Sequence, residues 1–162
     1  MREVYEFLKN CGVYYLATVE GDQPRVRPFG TIEIFENKLY IQTGRKKDVA
    51  KQLYANPKAE IVSCKGIEWL RITCKLIEND DRNIRVKMLE KMPSLRAMYN
   101  EDDGNMTMFE IKDAKAIFSS FVAIVDSSAD FSDNSWFIEW TLIIFLFIKT
   151  KLKNEIMQKD NI

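Results

Sequence analysis

Three short segments carry the residues that could do chemistry. The first is Gln23-Pro24-Arg25-Val26-Arg27-Pro28-Phe29. Arg25 and Arg27 are two apart, so on a strand they share one face. Like charges side by side are unfavourable unless an anion or carboxylates lie between them. The pair reads either as an anion site or as a solvated strand face balanced by acids such as Glu33. The second segment is Gln42-Thr43-Gly44-Arg45-Lys46-Lys47, where a strand ends and a helix begins. A helix N-terminus offers unpaired N–H groups and the positive end of the dipole. A hydroxyl and three cations there make a credible phosphate site, and an exposed basic turn is the plainer alternative. The GxxxxGK[ST] spacing is absent, so it is not a Walker loop. The third is Glu68-Trp69-Leu70-Arg71. Trp69 can stack near a ring and Arg71 can meet a carboxylate or phosphate; the alternative is a core or interface tryptophan.

Composition narrows the chemistry further. The 162 residues contain no histidine. That removes Ser-His-Asp and Cys-His catalysis, His-ligated zinc and His-ligated haem, and no metal site is read. Proton transfer would fall to carboxylates, Lys, Tyr, water or a cofactor. Tyr15, Glu33 and Arg71 are the side chains to consider, and none is assigned a catalytic role. Lys plus Arg and Asp plus Glu are 24 each, so no global charge points to nucleic acid or an anionic membrane. Cys11, Cys64 and Cys74 form no CxxC spacing and fit reduced, packed thiols. The start MREVYEFLKN has no apolar signal core, and a cytoplasmic location is expected.

These segments need elements to position them. Residues 2–10 place Val4, Tyr5 and Leu8 at helical spacing, with Gly12 as a stop. Residues 13–19 read as a strand, 25–35 as a long strand bent at Gly30, and 39–43 as its returning partner across Glu36-Asn37-Lys38. A helix is predicted over 48–55 and ended by Asn56-Pro57. Strands follow at 59–64 and 67–78. Asp80 is the expected cap of a helix running to Met92, with Ile84, Met88, Leu89 and Met92 as its stripe. Residues 106–121 form the last strand. The fold class is therefore mainly β with flanking helices: six mostly antiparallel strands in a closed or nearly closed barrel.

In this order the segments resemble the pyridoxamine 5′-phosphate oxidase-like family of FMN-binding split barrels. The resemblance rests on Tyr14-Tyr15-Leu16-Ala17-Thr18, Pro24-Arg25-Val26-Arg27-Pro28, Leu39-Tyr40-Ile41-Gln42-Thr43, Gln52-Leu53 with Asn56-Pro57, and Trp69-Leu70-Arg71-Ile72. It implies a homodimer with two FMN sites at the subunit interface. It also implies that Arg25, Val26, Arg27 and Pro28 line the flavin ring and reach the phosphate, and that Gln42 and Thr43 contact the flavin. Trp69 falls where the oxidase has a flavin-contacting Gln, and Arg71 follows it. The oxidase's phosphate-binding Arg-Lys pair would fall on Asp48-Val49, neither of them basic. Lys46 or Lys47, with Lys51 one turn on, are the expected replacements. The oxidase's Arg-x-His element and the His of nitroimidazole-resistance and haem-degrading relatives have no counterpart here.

The implied function is FMN-dependent oxidoreduction of a small molecule. The alternatives are a non-catalytic flavin-binding, storage or sensing protein, an F420-dependent reductase, and a β-barrel binding module without a cofactor. The expected domain covers 1–121. Residues 122–162 differ in character, with the apolar run 136–148 followed by a basic flank. Thirteen helical residues span about 20 Å, short of a bilayer core of about 30 Å, so membrane contact by a transmembrane helix is disfavoured. An interfacial anchor or a helix packed on the barrel fits better. The Ile, Phe, Leu, Lys and Asn bias most resembles out-of-frame translation of an AT-rich stretch.

Overall fold

Helix α1 (Arg2–Cys11) forms where its spacing predicts, and the N–H of Gly12, at φ 73°, closes it on the Leu8 and Lys9 carbonyls. The computed structural model describes residues 1–120, of which Met1–Ser119 form one compact unit. The expectations for 122–162 and for 136–148 lie outside the described residues.

After α1 come β1 (Tyr14–Glu20), β2 (Gln23–Phe29), β3 (Glu33–Phe35) and β4 (Lys38–Gly44). Helix α2 (Asp48–Ala55) separates them from β5 (Lys58–Lys65) and β6 (Glu68–Glu78). Helix α3 (Arg82–Lys91) and a 3-10 turn (Pro93–Ala97) precede β7 (Met106–Ser120). The strands form one sheet in the order β2-β1-β5-β6-β7-β4-β3, the class of a split barrel. Every strand pair with a defined register is antiparallel.

The sheet has seven strands rather than the expected six. The stretch 25–35 breaks between Phe29 and Glu33. Thr31 supplies the reason. Its hydroxyl donates to the Gln42 carbonyl at 3.0 Å and accepts from the Gln42 N–H at 3.1 Å, so a side chain takes the place of a ladder rung. The helix cap also differs from expectation. Asp81, not Asp80, caps α3 by accepting from the Asn83 N–H at 2.8 Å. Asp80 is engaged instead by Arg45 and Arg85.

Alternation fixes which residues face inward. Tyr14, Leu16 and Thr18 of β1 are buried, as are Ile61 of β5 and Leu70, Ile72, Cys74 and Leu76 of β6. All but Thr18 form the main core with Leu8 of α1 and Val49, Ala50 and Leu53 of α2. A second cluster packs Ile84, Met88 and Leu89 of α3 against Phe35, Tyr40, Met106 and Met108.

Glu33 ties α1 to this core. It is 4% exposed, and its carboxylate accepts from Tyr5 Oη at 2.9 Å and Lys9 Nζ at 2.6 Å. Glu33→Ala removes both bonds, leaving the half-buried Tyr5 hydroxyl without this acceptor, and is expected to cost about 1–3 kcal/mol in chemical denaturation. Burial first, then the bond to Glu33, push the Tyr5 phenol up to about 12 from 10.0. Tyr5 is protonated in both states below about pH 10, where its contribution is fully present. Between about pH 10 and about 12 the unfolded chain loses the proton and the folded chain keeps it, so stability falls as pH rises. Tyr5→Phe should flatten that part of the alkaline slope in denaturation midpoints.

Candidate functional site

The β1–β2 register sets the first wall of the site. Arg25 lies opposite Thr18 and Arg27 opposite Leu16, both inward-facing positions of β1. The two arginines therefore share the inner face, as their spacing predicts. A cleft of about 600 Å³ opens beside them. It brings together Arg25, Val26, Arg27 and Pro28 of β2, Gln42 and Thr43 of β4, and Lys47 at the start of α2. Lys46, Lys51, Trp69 and Arg71 do not line it.

Carboxylates sort the cations. Glu33 does not balance the arginines, because Tyr5 and Lys9 occupy it. Arg25 meets Glu20 at 2.6 Å on the rim, both half-exposed. Lys51 meets Asp48 at 2.9 Å, and this contact holds the Asp48 carboxyl below its ordinary range. Arg45 turns to Glu78 and Asp80, each at 2.9 Å. The Lys46 N–H is held by Asn105 Oδ1 at 3.2 Å, and the residue is exposed and does not line the cleft.

Two cleft cations remain without a carboxylate partner among the described residues. Arg27 bonds to the Leu16 carbonyl, Thr18 Oγ1 and Gln52 Oε1, all neutral. Burial, then the neighbouring Arg25 charge, lower its pKa, yet a guanidinium stays charged in protein. Lys47 Nζ lies 5.8 Å from the centre of the Tyr99 ring. Lys47 is also the N-cap residue of α2, and no side chain caps that terminus. Asp48 and Val49 of its first turn line the cleft. Such an end attracts anions through its N–H groups and its dipole.

Gly44 allows the strand to pass into this helix. A Cβ there would lie 3.1 Å from Tyr99 Oη and 3.3 Å from Asn105 Nδ2. The sequence reading missed the far wall: Leu95, Met98 and Tyr99, which follow α3, line the cleft with Glu20, Thr31 and Gln52. Gln52 left a signal, because it interrupts the apolar stripe of Val49, Ala50 and Leu53. Residues 95–99 left none before their packing was known.

Trp69 and Arg71 sit on the other face of the sheet. They alternate with buried Leu70 and Ile72, and the Arg71 guanidinium stacks 5.1 Å from the Trp69 ring centre. Tyr15 lies on the same outer face and Glu33 under α1, so neither borders the cleft of its own chain.

The sequence profile of the pyridoxamine 5′-phosphate oxidase family matches residues 1–119. The chain belongs to the pyridoxamine 5′-phosphate oxidase-like family. A NimC/NimA family protein from Clostridium acetobutylicum is 43% identical, with TM-score 0.73 over 75% of this chain and 85% of that one. General stress protein 26 from Bacillus anthracis shares the fold at 17% identity, with TM-score 0.59 over 74% of this chain and 97% of that one. An F420 reductase shares it at 17% identity, with TM-score 0.52 over 71% and 95%. No curated protein matches the chain.

If the unpaired cations define an anion site, inorganic phosphate should raise the melting temperature of the chain. Lys47→Ala should weaken phosphate binding about tenfold, the worth of one charge-assisted bond. Lys46→Ala and Lys51→Ala should leave it within about twofold, as expected of solvated or already paired lysines.

Proposed function

We propose that this protein binds FMN in the cleft and serves as an FMN-dependent oxidoreductase for a small molecule. One observation carries the reading: Arg27 and Lys47, two cations without carboxylate partners, face one cleft beside the uncapped start of α2. A phosphate monoester is the anion that suits such an end. The cleft volume of about 600 Å³ lies within the ordinary range of cofactor sites. Family membership supports a flavin as the group attached to that phosphate.

In this reading Arg27 and Lys47 hold the phosphate, and Arg25 joins them from the rim. Gln42, Thr43 and the β2 segment from Val26 to Pro28 line the ring. Bound there, FMN would supply hydride or electron transfer, the protein contributing anchoring, orientation and electrostatics. Lys46 and Lys51 drop out of the phosphate site. The F420 alternative calls for a longer basic groove than these clustered cations offer. The three free thiols suit a reducing, cytoplasmic setting. Among the described residues no helix is long and apolar enough to cross a membrane.

The reading includes a homodimer. The outer sheet face supports it: Tyr15, opposite Val62 and Pro28, is 54% exposed, and Val26 is 64% exposed. Arg71 continues the row opposite Val62. A second copy on this face would account for Trp69 and Arg71 lying off their own chain's cleft.

The visible spectrum of the purified protein tests the cofactor, with the released chromophore identified by mass. One FMN per chain, lost in Lys47→Ala, is the expected result; a colourless protein that rejects added FMN overturns it. Turnover with NAD(P)H and a reducible acceptor separates an enzyme from a flavin-storage protein. Tyr15→Glu should shift the sedimentation mass from dimer to monomer, and a monomeric wild-type chain would remove the homodimer.

A further inference from the structure

Arg27 is held in place by oxygens that carry no net charge. Its Nη1 donates to Thr18 Oγ1 at 2.5 Å and to the Leu16 carbonyl at 3.2 Å. Its Nη2 donates to Gln52 Oε1 at 2.6 Å. The Thr18 hydroxyl donates to the same Gln52 oxygen at 2.6 Å. Arginine has donors only, so the Gln52 atom facing it must be the carbonyl oxygen, and every bond has one direction. The brace joins β1, β2 and α2. Thr18 is 2% exposed and Gln52 6%.

Polar side chains at such positions are costly unless bonded, and apolar ones could fill the same space. A carboxylate at position 52 would grip a guanidinium more strongly than an amide does. It would also cancel the charge. Elsewhere the chain uses that solution: Arg25 meets Glu20, Arg45 meets Glu78 and Asp80, and Arg82 meets Asp102. Arg27 differs from all of them. It is fixed on three neutral oxygens, and it lines the cleft.

We propose that Gln52, with Thr18, is a positioning residue that aims Arg27 at an anion in the cleft while leaving its positive charge uncancelled. Gln52 lies on the same helix whose first residues, with Lys47, border the cleft. One helix thus carries both a cation and the brace for the other. The inference rests on the reading of the cleft as a phosphate site for FMN. It adds the residue that makes Arg27 available.

The test compares FMN with riboflavin, which lacks the phosphate, by binding titration and thermal melting. Wild-type chain should prefer FMN. Gln52→Glu keeps the shape and the bond to Arg27, so it should melt at or above the wild-type temperature. Its preference for FMN over riboflavin should nevertheless fall by about tenfold or more, the scale of one charge-assisted contact. An unchanged preference in Gln52→Glu would overturn the proposal, and so would an unchanged preference in Thr18→Val, which removes a bond to Arg27 without adding charge. Should Gln52→Glu not fold, Thr18→Val decides: a reduced preference supports the brace and an unchanged one overturns it. A wild-type chain that binds both flavins equally, or neither, overturns the phosphate reading itself and this inference with it.

Discussion

The two ends of the sheet are joined through Thr31. Strands β2 and β3 stand at opposite ends of the strand order, yet only Gly30, Thr31 and Ile32 separate them along the chain. Thr31 bonds both backbone groups of Gln42 through its hydroxyl, and its carbonyl accepts from Tyr14 Oη at 2.7 Å. One residue therefore links β1 to β4 across the gap. An end strand left open would present unpaired backbone to other chains. The same link sets the site, because β2 carries Arg25 and Arg27 while β4 carries Gln42 and Thr43. The cleft borders both strands, and Thr31, bonded to Gln42, lines it too. Gly30 belongs to this constraint, since a Cβ there would come within 3.3 Å of the Gly12 carbonyl.

Charge then decides which of many basic residues reach the cleft. Exposed ion pairs add little to stability. They still direct long side chains, and here they draw most of them away. Of Arg45, Lys46 and Lys47, only Lys47 lines the cleft, because Glu78 and Asp80 take the first and Asn105 pins the backbone of the second. Thr107 and Tyr54 also donate to Glu78, at 2.8 and 2.9 Å, so Arg45 meets a carboxylate that two hydroxyls hold as well. The selection is made by acids distant in sequence. Spacing within the basic run could not reveal it.

What the sequence disclosed follows the same division. Period-two alternation placed Arg25 and Arg27 on one face, and helical spacing placed Val4, Tyr5 and Leu8 against the sheet. Both are local properties of the backbone. The break at residues 30–32 was not legible, because it depends on a hydroxyl bonding a strand residue eleven positions away. The partner of Arg25 was misjudged for a related reason: Glu20 faces it across the tight β1–β2 turn, whereas Glu33 lies beneath α1. Asp80 and Asp81 are both good caps by type, and only the ion pairs with Arg45 and Arg85 decide between them. Residues 95–99 reach the cleft through the packing of α3, which no local pattern encodes.

A sheet of this kind has two faces, and the chain treats them differently. The inner face is closed by α1, α2 and the core. The outer face of β1, β5 and β6 carries Tyr15 and Arg71, which are exposed, and Val62 and Trp69, which are half-buried. Large apolar side chains on a solvated strand face lose nothing by being replaced with polar ones, so their concentration here asks for a contact. The Trp69–Arg71 stack sharpens the point. A guanidinium on a tryptophan ring is weak in water and stronger when solvent is removed. The stack gains from being covered, and so does the tyrosine two strands away. It is on this face, opposite the cleft, that the proposed homodimer rests.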